Sequence, residues 1–378
     1  MQAGRRQMIV VGAAIAWCGA LGAASVAGQS APAQAPMAET VFKNVQVLRG
    51  IPVDEFMDTM GMFASSLGYD CASCHAAGIS TNRDLFAEST PSIQKARQMV
   101  LMVNAINRAN FGGEPRVSCY TCHRTHYRPE VVPSLDAQYA DLIEDPSSVN
   151  IVPDRGVSAD PIFAKYLDAL GGAARVGALT SVVARGSYAG FNTGGGTVPV
   201  EIYTKAPNQR AVIIKMPQGD ASEIFDGTNA WVAAPWKPMP LMTLTADNVA
   251  GARLDALLMF PATLQKAFSQ WQVTTVTLED DRTVRLAQGR DAAQRLVNFY
   301  FDEAGLLVRL IRWNKTTVGT IPVQIDYASY RDVGGVKFPF QIRVRWTNGQ
   351  DTIAFTDVQT NVAIAANRFA QPAPYTAQ

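Results

Sequence analysis

A chain of 378 residues, 48% hydrophobic and 17% charged, has the apolar content for two or three folded units, which excludes a largely disordered protein. Its 33 basic and 32 acidic side chains leave a formal net charge of +1, so nothing electrostatic points to nucleic acid or to an anionic membrane surface as partner.

Residues 1–27 place Arg5 and Arg6 ahead of an apolar run and finish on small residues, with Ser25, Val26 and Ala27 as the cleavage site. This is the layout of a secretory signal and predicts export to the periplasm. The alternative is an uncleaved anchor, which would leave the protein membrane-associated. Trp17 sits where a lipidation signal carries a small residue, so Cys18 is expected to leave with the signal. Residues 28–40 have the Ala, Pro, Gln and Ser content of a linker, and folding is expected to begin near Val41.

From residue 41 to about residue 130 the pattern is helical. "IPVDEFMDTMGMFASSLG" aligns Phe56, Met57, Met60 and Phe63 on one face, with Asp54 and Glu55 near the positive end of the helix dipole and Gly68 as its stop. A second helix, "SIQKARQMVLMVNAINRANFGG", carries Ile93, Ala96, Met99, Val100, Val103 and Ile106 and ends at Gly112-Gly113. Each helix is followed by a loop and then by C-x-x-C-H, at Cys71, Cys74, His75 and again at Cys119, Cys122, His123. The unit of helix, loop and motif is thus repeated, and both motifs take one reading.

C-x-x-C-H is the attachment pattern of a c-type haem: two thiols reach the two vinyl groups and the adjoining imidazole binds the iron. Two covalent haems on Cys71/Cys74 and Cys119/Cys122, with His75 and His123 as axial ligands, are therefore expected. A zinc ribbon or a pair of disulfides would also use four cysteines, but neither explains a histidine directly after both second cysteines. Only His126 remains among three histidines, three residues after His123, so histidine cannot supply both distal ligands. Methionine is the other common axial ligand. Met60, ahead of Met57 and Met62, is assigned to the first haem, and Met99, ahead of Met102, to the second. Soft core filling is the competing role for any one of them. Arg97 and Arg124 are candidates to pair with propionates. Six-coordinate irons would make the protein an outer-sphere electron carrier rather than a catalyst, at a moderately oxidising potential.

Residues 131–158 are Pro-rich and polar and read as a second linker. A short helix, "PIFAKYLDALGGAARVGAL", then leads into alternating segments from "VPVEIYTK" to "TIAFTDVQ", joined by turn pairs such as Asp226-Gly227, Gly334-Gly335 and Asn348-Gly349. That is an antiparallel meander forming one large curved sheet over residues 159–372. Two helical interruptions, "TADNVAGARLDALL" and "ATLQKAFSQ", are placed to cover its open side. Trp231, Trp236, Met239, Met242 and Phe260 are candidates for a lined mouth or for core. No histidine follows His126 and no cysteine follows Cys122, so this part carries no catalytic motif.

"VFKNVQVLRGIPVDEFMDTMGMFASSLGYDCASCH", "KARQMVLMVNAINRANF" and "VSCYTCHR" resemble, in order over residues 41–130, the cytochrome c subunit of photosynthetic reaction centres. The resemblance implies c-type haems with helical methionines as distal ligands, and by position it selects Met60 and Met99. It also implies redox partner proteins, among them a membrane electron-transfer complex or reaction centre. That family carries four haem motifs where this chain has two. "FAKYLDALGGAARVGALTSVVARGSY" and the order of strands more loosely resemble the outer-membrane lipoprotein carrier and sorting proteins, which implies an antiparallel β half-barrel able to hold an apolar ligand. The expected architecture is multidomain α and β: a mostly helical dihaem cytochrome domain followed by the half-barrel. The leading function is a periplasmic dihaem electron carrier whose β-domain docks a partner or holds an apolar ligand. The alternatives are a haem enzyme or sensor with one open iron, peroxidase-like, and a lipid- or quinone-binding module.

Overall fold

Both long apolar stripes fold as helices with the expected stops. The structure is a computed structural model that describes residues 34–79, 82–139, 145, 147–235 and 239–373. The signal expected at 1–27 therefore lies outside the described residues. Helix α1 (Ala38–Val41) takes shape slightly ahead of the expected start, joined to Pro52 by a bridge from Met37. Helix α2 (Val53–Leu67) ends at Gly68 in the left-handed region, φ 66°. A side chain at Gly68 would also place its Cβ 2.5 Å from the Thr125 carbonyl oxygen, so glycine is required there twice over. The first motif forms α3 (Cys71–Cys74). Helix α4 (Pro91–Phe111) opens with Thr90 as N-cap and Pro91 in its first turn, and closes at Gly112 with φ 62°. The second motif forms α5 (Cys119–His123).

The stretch expected as a linker is more structured than its composition suggests. It contains α6 (Leu135–Tyr139), and its end runs along the sheet: the Val149 carbonyl accepts from Gln288 Nε2 at 2.9 Å and Asp154 N–H donates to the Val273 carbonyl at 2.7 Å. Helices α7 (Asp160–Ala169) and α8 (Ala173–Gly177) follow, where a single short helix was expected, the break falling at Gly171-Gly172.

Among the described residues the strands join one antiparallel sheet of thirteen. They are β1 (Ser181–Gly190), β2 (Val198–Lys205), β3 (Gln209–Ile214), β4 (Ala221–Phe225), β5 (Ala230–Ala233) and β6 (Leu241–Thr243), then β7 (Ser269–Thr277), β8 (Thr283–Arg290), β9 (Leu296–Phe301), β10 (Leu307–Thr316), β11 (Gly319–Val333), β12 (Val336–Trp346) and β13 (Gly349–Thr360). Neighbours in sequence are neighbours in the sheet, except that β1 pairs with β13 (Val182 opposite Thr360) and β6 and β7 form the two edges. The sheet is open, and α9 (Ala246–Leu257) with a 3₁₀ turn at Pro261–Ala267 links one edge strand to the other. This bears out the expected class: helices at the N-terminal end and a large curved antiparallel sheet behind them.

Period-2 alternation sorts β1 between two cores. On β1, Val182 and Ala184 join the main core with Phe163, Phe299 and Phe301, while Val183 joins a smaller one with Tyr203, Trp231 and Phe369. Each fully buried phenylalanine contributes about 1.5–3 kcal/mol. Of the five residues named for a mouth, Trp231 belongs to the smaller core and Phe260 is buried in the main one, Met242 lines a cavity, Met239 is partly buried, and Trp236 lies outside the described residues.

Helix α2 lies against the rim of the sheet. Asp54, 2% exposed, accepts from Thr245 N–H at 2.6 Å, from the Thr245 hydroxyl at 2.9 Å and from Asn248 Nδ2 at 3.2 Å. Thr317 donates to Glu55 at 3.0 Å, and Met62 packs with Val318 of the β10–β11 turn and Ile321 of β11. Gly61 makes the close approach possible, because a Cβ there would lie 2.6 Å from Thr347 Oγ1. Between the sheet's concave face and the helices is a cavity of about 990 Å³.

Candidate functional site

Each C-x-x-C-H folds as one N-capped helical turn. Asp70 caps the first, accepting from Ser73 N–H at 2.9 Å and from the Ser73 hydroxyl at 2.7 Å. Ser118 and Thr121 cap the second reciprocally, in a capping box. Cys71 and Cys74 line one cavity, whereas Cys119 packs beside Met62 and Cys122 is exposed.

The two turns are tied to each other and to the long helices. Thr125 N–H donates to the Ser66 carbonyl at 3.0 Å, and Tyr69, just before the first motif, stacks on Tyr127, just after the second, with ring centroids 5.1 Å apart. Thr90 donates to the Cys74 carbonyl at 2.5 Å while accepting from Ile93 N–H at 3.2 Å, fixing α4 to the first motif. Asn107, 4% exposed, clamps the loop before the second motif: its Nδ2 donates to the Val117 carbonyl at 2.7 Å and its Oδ1 accepts from Val117 N–H at 2.9 Å. Neither Thr90 nor Asn107 stands out in the sequence, although Thr followed by Pro is a recognisable helix start.

At the first motif the cavity brings Cys71, Cys74 and His75 together with Met60 from α2 and Ile93 and Ala96 from α4. Met57, 41% exposed, lines the same space, whereas Met62 is 4% exposed and serves as core. Arg97 also lines it, with its guanidinium held by the Asn44 carbonyl at 2.8 Å and Ser89 Oγ at 3.0 Å. The His75 ring meets Phe86 edge-on, centroids 4.8 Å apart, and its buried Nδ1 has no hydrogen-bond partner. Burial lowers its pKa, the Phe86 backbone offsetting part of that, so the imidazole is held neutral, as a metal ligand requires.

The second motif is more open. His123 Nδ1 lies 3.0 Å from the His126 carbonyl, and since a carbonyl can only accept, the proton sits on Nδ1 and leaves Nε2 free to ligate. His126 Nδ1 is engaged in the same way by the Arg124 carbonyl at 2.9 Å. Met99 and Met102 lie on α4, Met99 half-buried and Met102 44% exposed, and Arg124 is an exposed residue in the left-handed region. Tyr120, Tyr127, Leu101 and Phe111 are exposed apolar groups on this part of the chain.

The residues present fit c-type haem better than the alternatives considered. All four described cysteines are free, and among the described residues no three His, Cys, Asp or Glu side chains converge as a metal cage. Burial pushes the Cys119 thiol up to about 11 and raises Cys74 as well. Two thiols beside a neutral imidazole is the donor set for two thioether bonds and one axial ligand.

Comparison with known proteins divides along the chain. Residues 17–145 match the family model of the photosynthetic reaction centre cytochrome C subunit, and residues 248–358 match a family of unknown function. A photosynthetic reaction center cytochrome c subunit from Thermochromatium tepidum is 33% identical over 106 residues, 27% of this chain and 25% of that protein. The match thus spans about a quarter of the relative's length. Among solved structures, a LolA superfamily protein from Nitrosomonas europaea aligns with 57% of this chain and 98% of its own, at 13% identity and TM-score 0.38. A putative outer membrane lipoprotein-sorting protein domain from Vibrio parahaemolyticus aligns with 56% and 97%, at 10% identity and TM-score 0.38. Residues 17–145 thus resemble the reaction-centre cytochrome c subunits, as the motifs indicated.

Proposed function

We propose that this protein is an exported, periplasmic c-type cytochrome that carries two haems and passes single electrons between partner proteins, with the sheet serving to dock a partner or to hold an apolar ligand. The observation that carries the reading is the repeated C-x-x-C-H, each copy an N-capped turn, with Cys71, Cys74, His75 and Met60 lining one cavity at the first. When bound, haem supplies a one-electron Fe(III)/Fe(II) couple. The chain's part is to attach it through Cys71 and Cys74 and through Cys119 and Cys122, and to offer His75 and His123 as axial imidazoles. Met60 and Met99 complete the ligand sets in this reading, and the apolar stripe of Phe56 and Phe63 keeps water from the first centre. A partner resembling a reaction centre follows from the family likeness of residues 17–145.

The test is the visible spectrum of the matured protein in both oxidation states, with and without added cyanide. Two low-spin centres that ignore cyanide are expected, and Met60→Ala is expected to open one of them while Met57→Ala leaves both closed. A native centre that binds cyanide rapidly would favour the open-iron enzyme instead.

A further inference from the structure

The cavity beside the first motif does not end there. The same space of about 990 Å³ continues from Cys71, Cys74 and His75, past Met57 and Met60, into the concave face of the sheet, where Val212, Ile214, Val323, Ile325, Ile353 and Phe355 line it. Where α2, α9, β3 and β10 meet, the apolar wall is interrupted by Asp58, Arg210, Glu223, Asp255 and Arg312, which also line a smaller adjoining cavity of about 220 Å³. Three carboxylates face two guanidiniums, so this end offers nothing extra to a second anion, and a free carboxylate or phosphate headgroup is disfavoured there.

The central pair is poorly satisfied. Arg312 Nη2 stands 3.8 Å from Asp255 Oδ2, Arg312 Nη1 reaches Asn314 Oδ1 only at 3.4 Å, Arg312 Nε is buried without a partner, and so is Asp255 Oδ1. Both side chains keep some exposure, 15% for Arg312 and 20% for Asp255, and a guanidinium that meets its carboxylate only at 3.8 Å leaves room between them for an uncharged oxygen group that can both accept and donate. An apolar channel leading from it calls for a long hydrocarbon tail. Lipid alcohols and isoprenoid quinones or quinols share that chemistry, and the continuation of the cavity to a C-x-x-C-H motif favours the redox-active member.

We propose that the concave face of the sheet is a binding site for a lipid-tailed quinone, with its ring oxygen at Arg312 and Asp255 and its tail along Val212, Ile325 and Ile353. The assignment of quinone over alcohol rests on the haem reading of the first motif; the pocket and its preference for a neutral head do not.

The test is equilibrium binding of a decyl-tailed quinone to the matured, haem-loaded protein, measured by direct partition of the quinone, with decanol and decanoate as equal-length competitors. Saturable binding at least about tenfold tighter for the quinone than for either competitor is expected. Arg312→Met is expected to weaken it by about tenfold with haem content unchanged. Absence of saturable binding, or decanol or decanoate binding as tightly as the quinone, overturns the proposal. The ligand series needs only the unaltered protein, so it decides the matter even if the variant fails to fold. Haem content, assayed separately, reports on the cytochrome reading itself.

Discussion

Asn107 shows how a single side chain positions chemistry that it does not touch. Buried on α4, it replaces a backbone partner for both polar groups of Val117, two residues before Cys119. Removing it leaves a half-buried N–H and C=O without that partner, at about 0.5–1.5 kcal/mol for each bond lost. Asn107→Ala is therefore expected to lower the midpoint of chemical denaturation measurably and to reduce haem attachment at the second motif in preference to the first. Equal attachment at both, read by peptide mapping, would show that the clamp does not set the motif's position. The cysteines and histidines were legible in the sequence because their relation is local and fixed by spacing. Asn107, Thr90 and the Tyr69–Tyr127 stack were not, since their partners are brought near only by the return of the chain after α4.

At the scale of elements, helix α2 has two working faces. The stripe of Phe56, Met60 and Phe63 was readable from periodicity. The other face was hidden, because Asp54 and Glu55 read as charges near the positive end of the helix dipole and nothing local marks Gly61; only the fold brings Thr245, Thr317 and Thr347 against them. Gly61→Val would drive a branched side chain into Thr347 and is expected to cost about 1–3 kcal/mol, the usual penalty of overpacking, in a denaturant titration. Burial raises the Glu55 carboxyl above its usual 4.5, with Asp54 and Asp247 adding to the shift and the Thr317 hydrogen bonds opposing it. A raised acid binds its proton more tightly in the folded state, so its contribution is fully present below 4.5 and is lost as pH rises through the raised value. Glu55→Gln is expected to flatten the dependence of stability on pH just above that point. An unchanged slope would mean that Glu55 is solvated in solution. Ten of the strands were visible as alternating segments. The three-residue β6 is too short to show alternation, β4 is buried at both ends around one exposed glutamate, and β1 lies in the run that followed the short helix.

For the whole molecule, the decisive contacts are those the sequence keeps far apart. The pairing of β1 with β13 turns a meander into one continuous sheet, and the sheet's concave face shares its cavity with the first C-x-x-C-H. Local patterning revealed the helices, the strands and the motif repeat, but not that α2 serves both as a wall of the candidate haem site and as a lid on the sheet. Among the described residues no helix is long and apolar enough to cross a membrane. The central claim is that two haems are joined covalently to this chain, and the most direct measurement is the mass of the matured, denatured polypeptide, read alongside alkylation of its thiols. The account predicts the added mass of two haems with Cys71, Cys74, Cys119 and Cys122 all refusing the alkylating agent. A bare polypeptide mass with those four thiols modified would contradict it.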